Sequence, residues 1–229
     1  MATPGEHHPA FEEYCECIFE LREDNVEIIQ ARLVERLGVS RPSVSEMIKR
    51  MESEGLVSIR GQKITLTHKG DQLAERVVRR HRIAERFLTD VLKLSWSQAH
   101  HEACKWEHVI SADVERALNT LLGSPTTCPH GNPIPGSQHR DERVAPLETV
   151  HVGDSFTVSR IGDSFTVSRI PEELEVAPGM LDLLESSKFY PGAVGTVVAG
   201  EMDGSRTVRV ADRDITLDGF ATARIMIQA

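Results

Sequence analysis

The sequence predicts an α+β protein on three observations. Apolar residues recur at helical spacing through the first half of the chain, and they alternate at strand spacing beyond residue 147. Between these regions runs SPTTCPHGNPIPGSQHRDER (124–143), whose Pro, Gly and polar content reads as a linker. The length of 229 residues, 40% of them hydrophobic, allows one to three small domains, and an aromatic content of only 5% suits a helix-rich chain.

The elements follow in order. AFEEYCECIFELRE (10–23) sets apolar side chains at 11, 14, 18 and 21, one face of a helix. EIIQARLVERL (27–37) predicts a second helix that stops at Gly38. Ser40 is placed to cap a third, with Pro42 in its first turn, and VSEMIKRMESEG carries it to Gly55. LVSIR and KITLT alternate as two short strands around a turn at Gly61-Gln62. Helix, helix, short turn, helix and ribbon is the order of a winged helix-turn-helix, a DNA-reading module whose third helix enters the major groove. Long helices are predicted through 71–92 and 97–122. After residue 147 come strand-like runs, AVGTVVAGE, RTVRVAD, RDITL and TARIMIQ, with turns at Asp203-Gly204 and Asp218-Gly219, which predict a small β-barrel.

GDSFTVSRI occurs twice in tandem, at 153–161 and 162–170. Its odd period places Phe156 and Phe165 on opposite faces of any single continuous strand. Either the copies pair as a hairpin turning at 161–164, or one holds the strand and the other loops out.

Composition narrows the function. No apolar run approaches the ~20 residues that span a bilayer, and MATPGEHH is not a signal peptide, so a cytoplasmic protein without membrane contact is expected. Four cysteines, at 15, 17, 104 and 128, are too few and too unevenly spaced for a disulfide framework. The net charge is −9, yet residues 40–82 hold ten Lys and Arg against five Asp and Glu, while 141–229 hold eight against fifteen. Screening confines charge effects to about 8–10 Å, so a basic stretch inside an acidic protein still meets phosphates.

Potential metal ligands fall on stripes. His81 and Glu85 lie four apart, and His100, Cys104, Glu107 and His108 fall at i, i+4, i+7 and i+8, within an arc of about 100° on one helix. Glu13, Glu16 and Glu20 make a third stripe. Imidazole, carboxylate and thiolate converging from three helices suit divalent transition metals. Catalytic patterns are missing: there is no HExxH, no pair of helical Glu-x-x-His motifs of the kind di-iron bundles use, no Gly-rich phosphate loop and no G-x-S-x-G elbow. A Cys104 nucleophile beside His108 lacks any oxyanion hole, so no enzyme activity and no small-molecule substrate are expected.

The strings RRHRIAERFLTDVLKLSWSQAHHEACKWEHVIS (79–111), HGNPIPG (130–136) and RLVERLGVSRPSVSEMIKRMESEGLV (32–57) closely resemble the diphtheria toxin repressor and iron-dependent regulator family of metal-activated repressors. The resemblance implies a winged helix-turn-helix over 1–72, a helical metal-binding and dimerisation domain over 73–140 and an SH3-like barrel over 147–229. It implies two metal sites per subunit for Mn(II) or Fe(II). The primary site takes Glu13, Cys104, Glu107 and His108, with Glu16 where manganese regulators place a second Glu. The ancillary site takes His81, Glu85 and His100, completed by Glu172 and Glu175, where the family has a Glu and a Gln. Readout residues carry over as Ser40, Pro42, Ser43, Ser45 and Glu46, the last a Gln in iron regulators. Lys49 and Arg50, and Arg60 and Lys63 on the ribbon, suit phosphates. The implied function is a homodimeric repressor binding palindromic operator DNA when metal-loaded. A metal-independent winged-helix regulator and a metallohydrolase are the competing readings.

Overall fold

The computed structural model describes residues 9–139, 144–150, 152 and 164–228, with backbone alone at 164–168. The chain divides into two compact units, one of residues up to His81 with Cys104–Glu115, the other of Arg82–Ala103 with Arg116 onward.

In the first unit, α1 (Pro9–Glu23), α2 (Gln30–Leu37) and α3 (Arg41–Ser53) precede the antiparallel ribbon of β1 (Val57–Arg60) and β2 (Lys63–Leu66), and α4 (His68–Asp90) begins after it. Gly38 ends α2 in the left-handed conformation, φ 65°, with its N–H on Val34 O. The Ser40 side chain accepts from the Ser43 N–H and caps α3, with Pro42 in the first turn, where no backbone donor is lost. A Cβ at Gly70 would lie 2.0 Å from Leu56 O, so only glycine lets α4 start against the end of the ribbon. Ile18, Leu33, Val44, Ile48, Leu56 and Ile64 are fully buried in the core beneath these elements. Each such side chain contributes about 1.5–3 kcal/mol of apolar burial. This is the predicted winged helix-turn-helix, with α2 starting at Gln30, three residues later than its sequence pattern.

In the second unit, the strands β3 (Ala145–Pro146), β4 (Ser164–Arg169), β5 (Val194–Gly200), β6 (Arg206–Val210), β7 (Arg213–Leu217) and β8 (Met226–Gln228) form one antiparallel sheet in the order β3-β8-β4-β5-β6-β7. The sequence predicts a barrel; the strands are ordered as an open sheet, and no β3–β7 pairing closes it among the described residues. Short helices α7 (Glu172–Glu175), α8 (Met180–Ser186) and α9 (Gly219–Thr222) pack with it. The core holds Trp96, Leu147, Ile170, Leu174, Leu184, Phe189 and Ile227. The β6–β7 hairpin turns on Ala211 and Asp212, both at positive φ, as a two-residue turn of this hand requires.

Three expectations need correction, and the tandem repeat is placed in part. The single helix through 97–122 is two, α5 (Trp96–Trp106) and α6 (Ala112–Leu121). Val109 and Ile110 N–H groups both close on Trp106 O, and the Ser111 hydroxyl accepts from the Val114 N–H, starting a new helix with Asp113 and Glu115 in its first turn. The expected linker is packed between 126 and 137: Cys128, His130, Asn132 and Ile134 are buried, and Thr127 pairs with Pro133. Asp218-Gly219 opens α9, with Asp218 Oδ1 accepting from Ala221 N, and is not a hairpin turn. Finally, the second GDSFTVSRI copy is β4, whose edges go to β5 over 164–166 and to β8 over 166–169. The first copy, and with it the choice between a hairpin and a looped-out copy, lies outside the described residues.

Candidate metal centres

The first unit gathers a cluster from α1, α4 and the end of α5. His81 Nδ1 lies 2.6 Å from Glu107 Oε2, and Glu107 Oε1 lies 3.2 Å from His108 Nε2. His108 Nδ1 meets Glu12 Oε2 at 2.7 Å. Donor atoms of His81, Cys104 and Glu107 all lie within 4.8 Å of one another. The break after α5 puts Glu107 and His108 in the turn that follows it, beside the face of α1 that carries Glu12, Glu16 and Glu20.

Glu16 is buried, and its Oε1 has no hydrogen-bond partner among the described residues. Burial, then repulsion from Glu107 and Glu20, pushes its carboxyl well above the usual range. Glu20 is neutralised by Arg36, 3.0 Å away. The hydrogen bond that His108 donates to Glu12 raises the His108 pKa against its partial burial. Carboxylates buried faster than they are neutralised, with an orphan oxygen among imidazoles and a thiol, fit a divalent cation.

The second unit holds another cluster. His100 Nδ1 sits 3.0 Å from Glu85 Oε1 and 3.1 Å from Glu175 Oε2. His130 Nδ1 sits 2.9 Å from Glu175 Oε1 and 3.6 Å from Glu85 Oε1, with Cys128 Sγ at 3.8 Å. Asn132 Nδ2 donates to Glu175 Oε1, 2.8 Å, and the Trp96 ring stands edge-on to His130 at 4.7 Å. His130 Nε2 is buried without a hydrogen-bond partner among the described residues. Burial opposes both charges, yet Glu175 and Glu85 push His130 well above its ordinary value, and His130 with His100 holds Glu175 at about 2. Burial, then Glu85, pushes the Cys128 thiol to about 11. Glu85, Cys128 and His130 offer donors within 4.8 Å of one another.

Several sequence expectations sit differently. Glu13 is exposed on α1, and its neighbour Glu12 makes the bond to His108. Glu172 is buried against Arg82, 3.1 Å from its Nε, and Arg82 also donates to Pro133 O. Sequence reading missed Glu12, Cys128, His130 and Asn132. Glu12, Glu16 and Glu20 recur every four residues, and Cys-Pro-His was visible at 128–130, but the surrounding Pro and Gly argued for a linker. Ser40, Pro42, Ser43, Glu46, Lys49 and Arg50 are exposed on and before α3, Ser45 is half-buried, and Arg60 and Lys63 are exposed at the ribbon tip.

Fold and site together define a winged-helix protein with built-in clusters of metal-ligand type. The chain belongs to the iron-dependent repressor family: residues 8–64 match its N-terminal DNA binding domain and 67–136 its metal binding and dimerisation domain. It is 51% identical over 126 residues to the iron-dependent repressor IdeR of Mycobacterium bovis, covering 55% of each chain. It is 46% identical over 126 residues to the diphtheria toxin repressor of Corynebacterium diphtheriae, covering 55% of this chain and 56% of that one. The match thus spans little more than half the length of these relatives. A solved manganese-dependent transcriptional repressor in complex with manganese is similar over 95% of this chain and 98% of its own, at 29% identity and a TM-score of 0.80. The manganese regulator SloR matches at 28% identity and TM-score 0.73, over 97% and 99%.

Proposed function

We propose that the chain is a cytoplasmic, homodimeric transcriptional repressor that binds palindromic operator DNA when loaded with Mn(II) or Fe(II), two ions per subunit. In this reading 1–72 is the DNA-binding domain, 73–140 the metal-binding and dimerisation domain, and 147–229 an SH3-like domain. The observation that carries it is Glu16, a carboxyl buried beside Glu107 whose Oε1 has no hydrogen-bond partner among the described residues. That arrangement costs stability until a cation compensates it. Glu16, Glu107, His108 and Cys104, with Glu13 at the family position, would hold the primary ion. Glu85, His100 and Glu175, joined by Cys128 and His130, would hold the other, while Glu172 anchors Arg82. A bound divalent ion supplies the positive charge that lets these carboxylates stay ionised while buried.

The rest follows from the residues. Glu16 lies on α1, while Glu107 and His108 lie beyond α5. Compensating their charge ties α1, which packs against α2 and β2 of the reading head, to the turn after α5. With α1 held, the reading head need not be ordered at the moment of DNA binding. A coupling of ~1–3 kcal/mol changes operator affinity by about 5- to 150-fold. Ser40, Pro42, Ser43, Ser45 and Glu46 then face base edges, and Lys49, Arg50, Arg60 and Lys63 face phosphates. Glu46 accepts from cytosine N4 where a Gln would pair with adenine.

Titration of operator-length DNA with Mn(II), Fe(II) or chelator tests this. Tighter binding with metal is expected. Equal affinity in chelator would leave a metal-independent regulator, and turnover of a hydrolysable substrate would point to an enzyme.

A further inference from the structure

Glu12 belongs to neither ligand set the sequence suggests, yet it makes the shortest contact of His108. We infer that Glu12 is a positioning residue: it holds the last proton of His108 on Nδ1, so that Nε2 is the nitrogen offered to the centre. This rests on the metal-centre reading above and assigns a role within it.

The geometry carries the inference. His108 has a carboxylate at each ring nitrogen, Glu12 Oε2 at 2.7 Å from Nδ1 and Glu107 Oε1 at 3.2 Å from Nε2. The shorter bond keeps the proton when one is lost. Glu107 is the weaker competitor for it, because its other oxygen already sits 2.6 Å from His81 Nδ1. The side chains of His108 and Glu12 are 21% and 12% exposed, so water does not readily replace either. Nε2 is the nitrogen turned towards Glu107, itself within 4.8 Å of His81 and Cys104 donors. A carboxylate behind an imidazole fixes its tautomer and ring orientation, and loss of such a partner typically costs about 10- to 100-fold in metal affinity. Glu12 sits in the first turn of α1, where a carboxylate also complements the helix dipole, so its placement adds no strain of its own.

Two measurements on the full chain test the role. Long-range proton–nitrogen correlation in the metal-free protein, at a pH where the ring is neutral, reads the His108 tautomer. Wild type is expected to carry Nδ1–H, and Glu12→Ala to shift towards Nε2–H. Direct Mn(II) binding followed by electron paramagnetic resonance of the free ion, fitted to two sites, is expected to show one site weakened at least about tenfold in Glu12→Ala. Glu12→Gln, which keeps an acceptor, should retain more of both properties and guards against a folding defect in the first variant. An unchanged tautomer, or wild-type Mn(II) affinity in Glu12→Ala, overturns the role of Glu12. Absence of Mn(II) binding by wild type would instead overturn the metal reading, while the tautomer measurement still decides on Glu12.

Discussion

Replacing Glu16 by Gln tests whether a buried charge on α1 is held in reserve for a cation. The change keeps shape and removes the ionisable group. In the metal-free protein Glu16 is buried beside Glu107 with one oxygen unsatisfied. An unsatisfied buried acceptor costs about 1–3 kcal/mol, more when charged. The cost has a ceiling, because the group escapes by taking a proton. From an ordinary carboxylate pKa near 4.3, protonation at pH 7 costs about 3–4 kcal/mol. Glu16→Gln is therefore expected to stabilise the chelator-treated protein by about 1–3 kcal/mol. That corresponds to about 2–4 °C of melting temperature per kcal/mol for chains of this size. The pH dependence has a definite sign. A carboxyl whose folded pKa is raised makes the native state bind more protons, so stability falls as pH rises from the ordinary carboxylate range to the raised value. The variant should lose that decline. It should also lose most of the stabilisation by Mn(II), which for an intact site reaches about 2.7 kcal/mol at a hundred times Kd. Differential scanning calorimetry in chelator and in Mn(II), across pH, reads all three. A melting temperature in chelator equal to or below wild type would refute the idea that Glu16 is uncompensated.

Three further outcomes are expected. In the second unit Glu175 has a depressed pKa, so its contribution is present above the ordinary carboxylate value and lost as pH falls towards about 2; His130 is raised, so its contribution is full below its unfolded pKa and lost as pH rises through the folded one. Urea unfolding of the metal-free protein should show both limbs, and Glu175→Gln should flatten the acid one; an unaltered acid limb would count against the pairing. Glu13→Met replaces a hard anionic donor by a soft thioether and should weaken Mn(II)-activated DNA binding more than Fe(II)-activated binding, whereas an equal loss would show that Glu13 does not set selectivity. Deleting 162–170 leaves one copy of an identical nonapeptide to form β4 ahead of Pro171. Metal-activated operator binding should stay within about 1 kcal/mol, and a folded dimer that no longer responds to metal would contradict this.

The first unit was legible because its signals are local. Gly38, Ser40 and Pro42 mark boundaries through backbone chemistry acting within a turn, and the apolar spacing around Val44 and Ile48 marks the buried face. Ligand stripes were legible for the same reason, as far as Glu107 and His108. What stayed hidden depends on partners distant in sequence. The 97–122 pattern hides a break, because Val109-Ile110-Ser111 is ambiguous until Ser111 is seen capping α6. The 126–137 segment looks like solvent-facing chain, because its burial depends on Ile170 and Glu175. Glu12 and Glu13 are both acidic neighbours on one helix, and only the angle of α1 to the turn after α5 selects between them. The Ala211-Asp212 turn carries no Asn-Gly signal, since its conformation is imposed by the β6–β7 register.

On the residue-170 side, the ties to the packed 126–137 segment run through the backbone. Ile170 N–H donates to His130 O at 2.7 Å, and Ile170 O accepts from Asn132 Nδ2 at 2.8 Å, while the same amide group reaches Glu175. Main-chain bonds place almost no demand on side-chain identity. The sheet region can therefore exchange most of its residues while still delivering a carboxylate at 175 and a carbonyl at 170 to the same partners. Sequence kinship to the mycobacterial and corynebacterial relatives extends over 126 residues, whereas likeness of shape to the manganese-dependent repressor extends over 95% of the chain at 29% identity. A joint that takes only peptide groups from residue 170 is one way for a region to drift in sequence without losing its hold on a ligand cluster.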